Sequence, residues 1–322
     1  MIDLLPYQKS IEKELDSFEF SNNPANLYDP LRYFLKIGGK RMRPILALMA
    51  CELYDKDLSQ ALNASMAVEL FHNFSLIHDD IMDQAPLRRG KDTVHVKWNE
   101  NIAILSGDVL LVKSYQAISQ YESKIALELL KLFNQTAIEV CEGQQWDMDF
   151  ETTKNVSIAD YIQMIKYKTA VLVGCSLEMG AIVAEASSKD RKALYDFGVN
   201  LGLAFQLQDD LLDVFADQSK FGKQVGGDIL ANKKTFLLLT AFQDADEKQE
   251  KVLIDLQKET DGPLKIEKTK EIYKELNIKL KTQNKIDEFY KMAMNNFNSI
   301  AVPNSKKEPL LELSNFLINR EH

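Results

Sequence analysis

Six aspartates in two short clusters are the residues of this chain best placed, by type and spacing, to do chemistry. Asp79-Asp80-Ile81-Met82-Asp83 and Asp209-Asp210-Leu211-Leu212-Asp213 share the spacing D-D-x-x-D. On a helix, residues four apart share a face, so Asp79 stacks on Asp83 and Asp209 on Asp213. Stacked carboxylates repel each other unless a cation binds between them. A lone D-D-x-x-D reads as a solvated acidic helix end. Here each cluster follows an apolar run at helical spacing: Ala64, Ala67, Phe71, Phe74 and Ile77, then Leu201, Leu203, Ala204 and Phe205. Two clusters in one context outweigh coincidence. Negative charge near a helix C-terminus also opposes the helix dipole, a difficulty that a bound cation removes.

The donor set points to one kind of metal. No Cys or His set of the kind zinc or copper prefers accompanies the aspartates. Mg²⁺ takes one or two carboxylates, keeps several waters and completes its shell with phosphate oxygens. The expected ligand is therefore a phosphate ester held between two acidic helices. The basic residues agree. Gly38-Gly39-Lys40-Arg41-Met42-Arg43-Pro44 puts cations on a glycine turn before a helix, with Pro44 suited to its first turn. Arg88-Arg89-Gly90-Lys91 follows the first acidic cluster, and Gly222-Lys223 and Lys233-Lys234 follow the second. Singly each reads as a surface charge; together they bracket both acidic sites with phosphate-binding forks and point charges.

Those local cations matter because the chain of 322 residues carries a formal net charge of −9. That balance argues against nucleic acid as a partner. It would repel an anionic substrate unless bound cations and basic side chains reverse the local field. The length allows one large core. Residues 1–20 lack the basic start and continuous apolar run of a signal peptide. The most apolar stretch, residues 169–186, contains Glu178 and two glycines and is too interrupted to span a bilayer. Cys51, Cys141 and Cys175 are widely spaced and form no metal motif. These features predict a cytoplasmic protein.

The elements that position the motifs read as helices. No proline occurs between Pro86 and Pro263, and the intervening sequence is rich in Leu, Ala, Glu and Lys. Periodicity predicts helices near 6–19, 28–37, 44–54, 58–83, 101–119, 123–150, 158–184, 189–215, 231–243, 246–258, 264–279, 283–297 and 308–319. Pro86 is expected to stop the helix that carries the first cluster. The strongest candidate for a strand is the short stretch 93–98. Residues 244–281 read as solvated outer helices. No linker or repeat is visible, so the expectation is one all-α domain over 1–322, a single large helical bundle around a central cavity.

Six segments, GGKRMRP at 38–44, HDDIMDQAPLRRG at 78–90, EGQQWD at 142–147, KT at 168–169, FQLQDDLLD at 205–213 and GKQVGGD at 222–228, give the chain a resemblance. It resembles the polyprenyl synthetase family, the trans-isoprenyl diphosphate synthases, over most of its length and in the family's order. One departure is Asp92, where many members carry proline. The resemblance implies an isoprenoid synthase-like bundle and Mg²⁺-dependent condensation of isopentenyl diphosphate with an allylic diphosphate. It also implies three Mg²⁺ ions and a homodimer. Asp79, Asp83 and Asp209 would be the principal metal ligands, supported by Asp80, Asp210 and Asp213. Arg88, Lys168, Lys223 and Lys233 would hold the allylic diphosphate. Lys40, Arg43, His72 and Arg89 would hold the diphosphate of isopentenyl diphosphate. Thr169 and Gln206 would place oxygens near the developing carbocation, with Gln144 and Asp147 lining the same cavity.

Two aromatic residues read as a product ruler. Phe74 and Phe71 precede Asp79 by five and eight residues, roughly 7.5 and 12 Å along a helix. A large aromatic at the first of these positions resembles the family's short-chain members. With small Ser75 nearby, a C20 product is favoured over C15. His78 and His95 read as satisfied structural histidines. Glu69-x-x-His72 resembles half of a di-iron motif whose second half is absent. Two alternative readings compete with this one. A class I terpene cyclase would usually replace the second acidic motif and would not need Lys40, Arg43 and Arg89. A non-catalytic homologous subunit would tend to lose acidic ligands that this chain retains.

Overall fold

The computed structural model of the protein describes residues 3–216 and 226–318. These residues are almost wholly helical, as predicted. The helices are α1 (Leu5–Ser17), α2 (Ala25–Lys36), α3 (Met42–Glu52), α4 (Leu62–Met82), α5 (Val94–Lys97), α6 (Glu100–Ile118), α7 (Ser123–Thr152), α8 (Ile158–Ile165), α9 (Val171–Val183), α10 (Ser188–Phe215), α11 (Gly227–Leu230), α12 (Phe236–Asp244), α13 (Glu247–Leu256), α14 (Gly262–Glu275), α15 (Ile278–Asn298) and α16 (Asn304–Ile318). A 3-10 turn at Leu58–Ala61 leads into α4, and a π-helical turn at Lys166–Ala170 joins α8 to α9.

Two local expectations are corrected. The stretch 93–98 is not a strand: it contains α5, which begins after Thr93. The extended backbone lies just before it, as β1 (Leu87–Arg88) paired antiparallel with β2 (Lys91–Asp92). The intervening Arg89 and Gly90 both have positive φ, the signature of the tight hairpin turn that suits the twist of two strands. A single helix over 158–184 is likewise replaced by α8, the π turn and α9.

Residue contacts divide the chain into two compact units. One comprises Met1–Gln135, Cys175–Tyr195 and Ile300–Leu310; the other comprises Thr136–Gly174, Asp196–Ser299 and Leu311–His322. In the first unit α4, like α3, is largely buried. Its Met66, Leu70 and Ile77 pack with Leu31 and Phe34 of α2, Val94 of α5, and Ala103 and Leu110 of α6. Each of these side chains other than the small Ala103 contributes about 1.5–3 kcal/mol on burial.

The end of α4 sets the direction of the first acidic cluster. Gln84 adopts a left-handed φ of 48°. Its amide donates to the Ile81 carbonyl at 3.2 Å, and the Ala85 amide donates to the Asp80 carbonyl at 2.9 Å. This pair of bonds is the Schellman stop. It terminates the helix before Pro86 is reached, so Pro86 follows the stop rather than causing it.

In the second unit α10 carries the second cluster and continues past Asp213 to Phe215. Two glycines let the π turn sit close against its neighbours. A Cβ at Gly143 of α7 would lie 2.7 Å from the Lys168 Cα, and one at Gly202 of α10 would lie 2.7 Å from the Ala170 Cα. Larger residues at either position would push backbone from backbone.

Candidate active site

The first unit assembles an acidic edge and a cationic cradle from α4, the ribbon β1–β2 and the loop before α3. The two adjacent aspartates of the first motif have different surroundings. Asp80 is buried at 1 % exposure. The Arg88 Nε donates to both of its oxygens at 2.9 and 2.8 Å, and Nη2 donates to Oδ1 at 2.7 Å. Burial pushes the Asp80 carboxyl up, against the pull of Arg88. Asp79, on the other flank, lies 3.8 Å from Arg88 Nη2, and Asp83 caps the helix in an exposed position. The hairpin turn thus presents Arg88 to the motif and Arg89 beside it.

Arg89 meets the glycine loop. A Cβ at Gly39 would lie 2.7 Å from Arg89 Nη1, so only glycine leaves this guanidinium its place. Arg43 Nη1 approaches His72 Nε2 at 3.2 Å. Burial, then the charges of Arg43, Arg89, Arg88 and Arg41, hold the His72 imidazole well below its usual value. His72 is therefore neutral and accepts from Arg43. Lys40 is exposed at the loop's edge. This is a concentration of cations suited to a second anion.

Below the acidic edge runs a column of rings. Phe74 packs edge-on against His78 at 4.6 Å and against Phe71 at 5.6 Å; Phe71 meets Phe133 at 5.2 Å, and Phe133 meets Tyr115 at 5.2 Å. Phe71 is 1 % exposed, whereas Phe74 is half-buried. Ser75 turns its hydroxyl back to the His72 carbonyl at 2.9 Å. His78 Nε2 lies 3.1 Å from the Ile104 carbonyl, in agreement with a structural histidine. His95 departs from that expectation: its buried Nδ1 has no hydrogen-bond partner.

The second unit holds a connected polar chain. Thr169 donates to Gln206 Oε1 at 3.2 Å, Gln206 Nε2 donates to Asp210 Oδ1 at 3.1 Å, and the Tyr161 hydroxyl donates to Asp210 Oδ2. Asp210 is the buried twin of Asp80, at 5 % exposure. Burial, then the charge of Asp228, pushes its carboxyl up to about 7. Lys168 donates to Asp147 at 2.6 Å. Asp213 accepts from the Asp228 amide at 3.0 Å, which folds the following segment back beside the motif. Burial and the nearby Asp213, Asp147 and Asp209 push Asp228 up to about 6, opposed by Lys233.

Lys233 and Lys234 diverge. Lys233 lies 3.9 Å from Asp228 and stays solvent-accessible. Lys234 donates to the Phe150 and Thr153 carbonyls, the latter at 2.6 Å, and so closes the C-terminal end of α7. Lys223 lies outside the described residues.

Comparison with known proteins shows the family of the chain. The polyprenyl synthetase family profile matches residues 24–276. The chain belongs to the polyprenyl synthetase family. It is 41 % identical to the short chain isoprenyl diphosphate synthase of Methanocaldococcus jannaschii over 249 residues, covering 77 % of this chain and 75 % of that one. It is 34 % identical to the geranylgeranyl pyrophosphate synthase of Geoglobus acetivorans over 320 residues, covering 98 % and 97 %. A solved geranylgeranyl pyrophosphate synthase superposes with a TM-score of 0.94 at 43 % identity, covering 100 % of both chains.

In this polyprenyl synthetase the carboxylates fit Mg²⁺. Among the described residues no group of three or more His, Cys, Asp or Glu side chains is placed to hold a metal ion by itself. The available oxygens instead suit an ion that takes one or two carboxylates and finishes its shell with water and phosphate. Burial raises Asp228 most, and a cation would relieve the further contribution of the neighbouring carboxylates. The buried Nε2 of Gln144 has no hydrogen-bond partner.

The structure groups Asp79, Asp80, Asp83, Arg88, Arg89, Lys40, Arg43 and His72 in one unit. It groups Asp209, Asp210, Asp213, Lys168, Thr169, Gln206 and Lys233 in the other. Three contributors escaped sequence reasoning. Asp228 closes a quoted motif but had no role. Tyr161 reaches Asp210 across 49 positions, and Gly143 sits inside EGQQWD as the space for Lys168. Only Asp228, an acid after two glycines, offered a usable signal.

Proposed function

We propose that this polyprenyl synthetase condenses isopentenyl diphosphate with an allylic diphosphate, head to tail and in trans, to give a short-chain isoprenyl diphosphate, C20 favoured over C15. The observation that carries this reading is the second cationic cradle. A cyclase handles one diphosphate, and the cations beside the acidic motifs would serve it. Lys40, Arg43 and Arg89 around neutral His72 supply a place for another.

Asp79, Asp83 and Asp209 are the proposed principal ligands of three Mg²⁺ ions, with Asp80, Asp210 and Asp213 in support. When bound, the ions neutralise charge on the leaving diphosphate. Arg88, Lys168 and Lys233 bind that diphosphate's oxygens and favour scission of the allylic C–O bond. Lys223 is assigned to the same group by resemblance. The Thr169 hydroxyl proton is directed at Gln206, so the oxygen's lone pairs face away from it and can meet a developing allylic cation. Lys40, Arg43, His72 and Arg89 hold the other diphosphate so that its double bond attacks the cation. The attack moves the positive charge to the tertiary carbon of the isopentenyl unit, and a proton then leaves the methylene between that carbon and the diphosphate-bearing carbon for a diphosphate oxygen, restoring a neutral alkene.

Product length is proposed to stop at Phe74, with Phe71 behind it. The test is incubation with isopentenyl diphosphate, each of the dimethylallyl, geranyl and farnesyl starters, and Mg²⁺, followed by chromatographic sizing. A C20 product is expected. No condensation with any starter would reject the reading. Phe74→Ala should lengthen the product by at least one unit; an unchanged length would reject Phe74 as the ruler.

We further propose a cytoplasmic homodimer. Among the described residues no helix is long and apolar enough to cross a membrane. The exposed Leu105 and Val112 of α6 and Leu127 of α7 supply apolar surface for a second copy. A light-scattering mass equal to one chain would reject the dimer.

A further inference from the structure

Arg41, one of the two residues between Lys40 and Arg43, is not directed outward. Arg41 is 9 % exposed and Glu69 3 % exposed, and the guanidinium donates from Nη1 to the Glu69 carboxylate. Nη2 donates to the Leu35 carbonyl near the end of α2 at 2.8 Å. Glu69 also accepts from Asn73 Nδ2 at 2.9 Å. Arg41 stands just before α3 with a φ of 50°, a left-handed conformation costing roughly 1 kcal/mol or more for a residue with a Cβ. Its side chain is tied at both ends of the guanidinium, which holds the backbone in that conformation.

The register on α4 gives the pair its meaning. Glu69, His72 and Asn73 stand at i, i+3 and i+4 and share one face. Glu69 takes Arg41, while His72 takes Arg43 two residues later. One helix face therefore grips the end of the glycine loop at Arg41 and the first turn of α3 at Arg43, and Lys40 is left at the exposed edge. Glu69 also supplies negative charge to a place where Arg89 is disfavoured by burial and by Arg41 and Arg88.

We infer that the Arg41–Glu69 pair positions the cradle for the second diphosphate. It orders the loop so that Lys40 and Arg43 are presented together, and it offsets the repulsion among the surrounding guanidiniums. Neither residue touches substrate. The inference rests on the proposed function, since it concerns the site assigned there to isopentenyl diphosphate.

The test uses the full chain with Glu69→Gln, Arg41→Lys and the double variant Arg41→Met/Glu69→Met. Steady-state KM is measured separately for isopentenyl diphosphate and for the allylic substrate, alongside thermal stability. Glu69→Gln and Arg41→Lys should raise KM for isopentenyl diphosphate roughly ten- to hundredfold while KM for the allylic substrate stays within about twofold. Lysine cannot reproduce the two-ended grip of arginine.

The double variant separates folding from positioning. An apolar pair in place of a buried ion pair tends to restore stability, so its Tm should return toward that of the parent. Its KM for isopentenyl diphosphate should remain raised. An unchanged value in any folded variant, or a parallel rise for both substrates, would overturn the positioning role and leave the proposed function standing. A parent protein that condenses no isopentenyl diphosphate would overturn both.

Discussion

Within each acidic motif the chemistry divides between neighbours. Asp80 and Asp210 are buried acceptors for protein groups, Arg88 for one and Tyr161 with Gln206 for the other. Asp79 and Asp209 stand beside them, half-buried rather than enclosed. The same residue type at adjacent positions should therefore fail in different ways. Asp79→Asn is expected to raise the Mg²⁺ concentration needed for half-maximal rate and to cut turnover about 10²–10³-fold. Asp80→Asn is expected to loosen Arg88 and to raise KM for the allylic substrate, with the Mg²⁺ requirement raised less than in Asp79→Asn. Kinetics with varied Mg²⁺ and varied substrate separate the two; identical profiles would show that the division is wrong. The aspartates were legible from type and spacing. Their division of labour was not, because it depends on partners from other segments, such as Tyr161.

At the scale of elements, the predicted helices are present, since proline-free amphipathic sequence leaves few other choices. What periodicity missed lies at their joints. A π turn retains helical spacing over most of its neighbourhood, so Lys166–Ala170 was indistinguishable from continuous helix. The ribbon β1–β2 was too short for alternation to register, and its Arg89 turn contradicts the usual preference for glycine or asparagine. Both joints carry residues of the proposed site, Lys168 and Thr169 on one, Arg88 and Arg89 at the other. Their dependence on close backbone approach gives a test. Gly143→Ala would place a methyl against the Lys168 backbone. It should destabilise the protein by about 1–3 kcal/mol, the usual range for overpacking. Turnover should fall further than Tm alone accounts for, because the π turn moves. A variant with parental Tm and turnover would show that the turn yields without consequence. Gly143 was visible inside EGQQWD; that its missing side chain serves a lysine 25 residues away was not.

For the molecule as a whole, a net charge of −9 meets anionic substrates through local reversal rather than overall attraction. The second unit concentrates Asp147, Asp209, Asp210, Asp213 and Asp228, and the burial of Asp210 and Asp228 among these charges has a pH signature. Asp228 is raised from 3.8 to about 6 and Asp210 from 3.8 to about 7. A carboxyl raised by folding binds its proton more tightly in the folded state. Its contribution to stability is full below the unfolded value and is lost as pH rises through the folded one. Without metal, stability from these groups should therefore decline from about pH 4 to about pH 7. Divalent cations compete with the same protons, so added Mg²⁺ should raise Tm more at about pH 8 than at about pH 5. Differential scanning fluorimetry with and without MgCl₂ at both values checks this; equal shifts would exclude the cluster as the cation site.

The column from His78 through Phe74 and Phe71 hangs from the helix that also bears Asp79. One turn of that helix advances about 5.4 Å, close to the span of an extended five-carbon unit. Under the proposed function, sizes in the product series are then metered by helical pitch. A lineage could move from one prenyl alcohol skeleton to the next by shaving a single ring, leaving the ionisation machinery untouched.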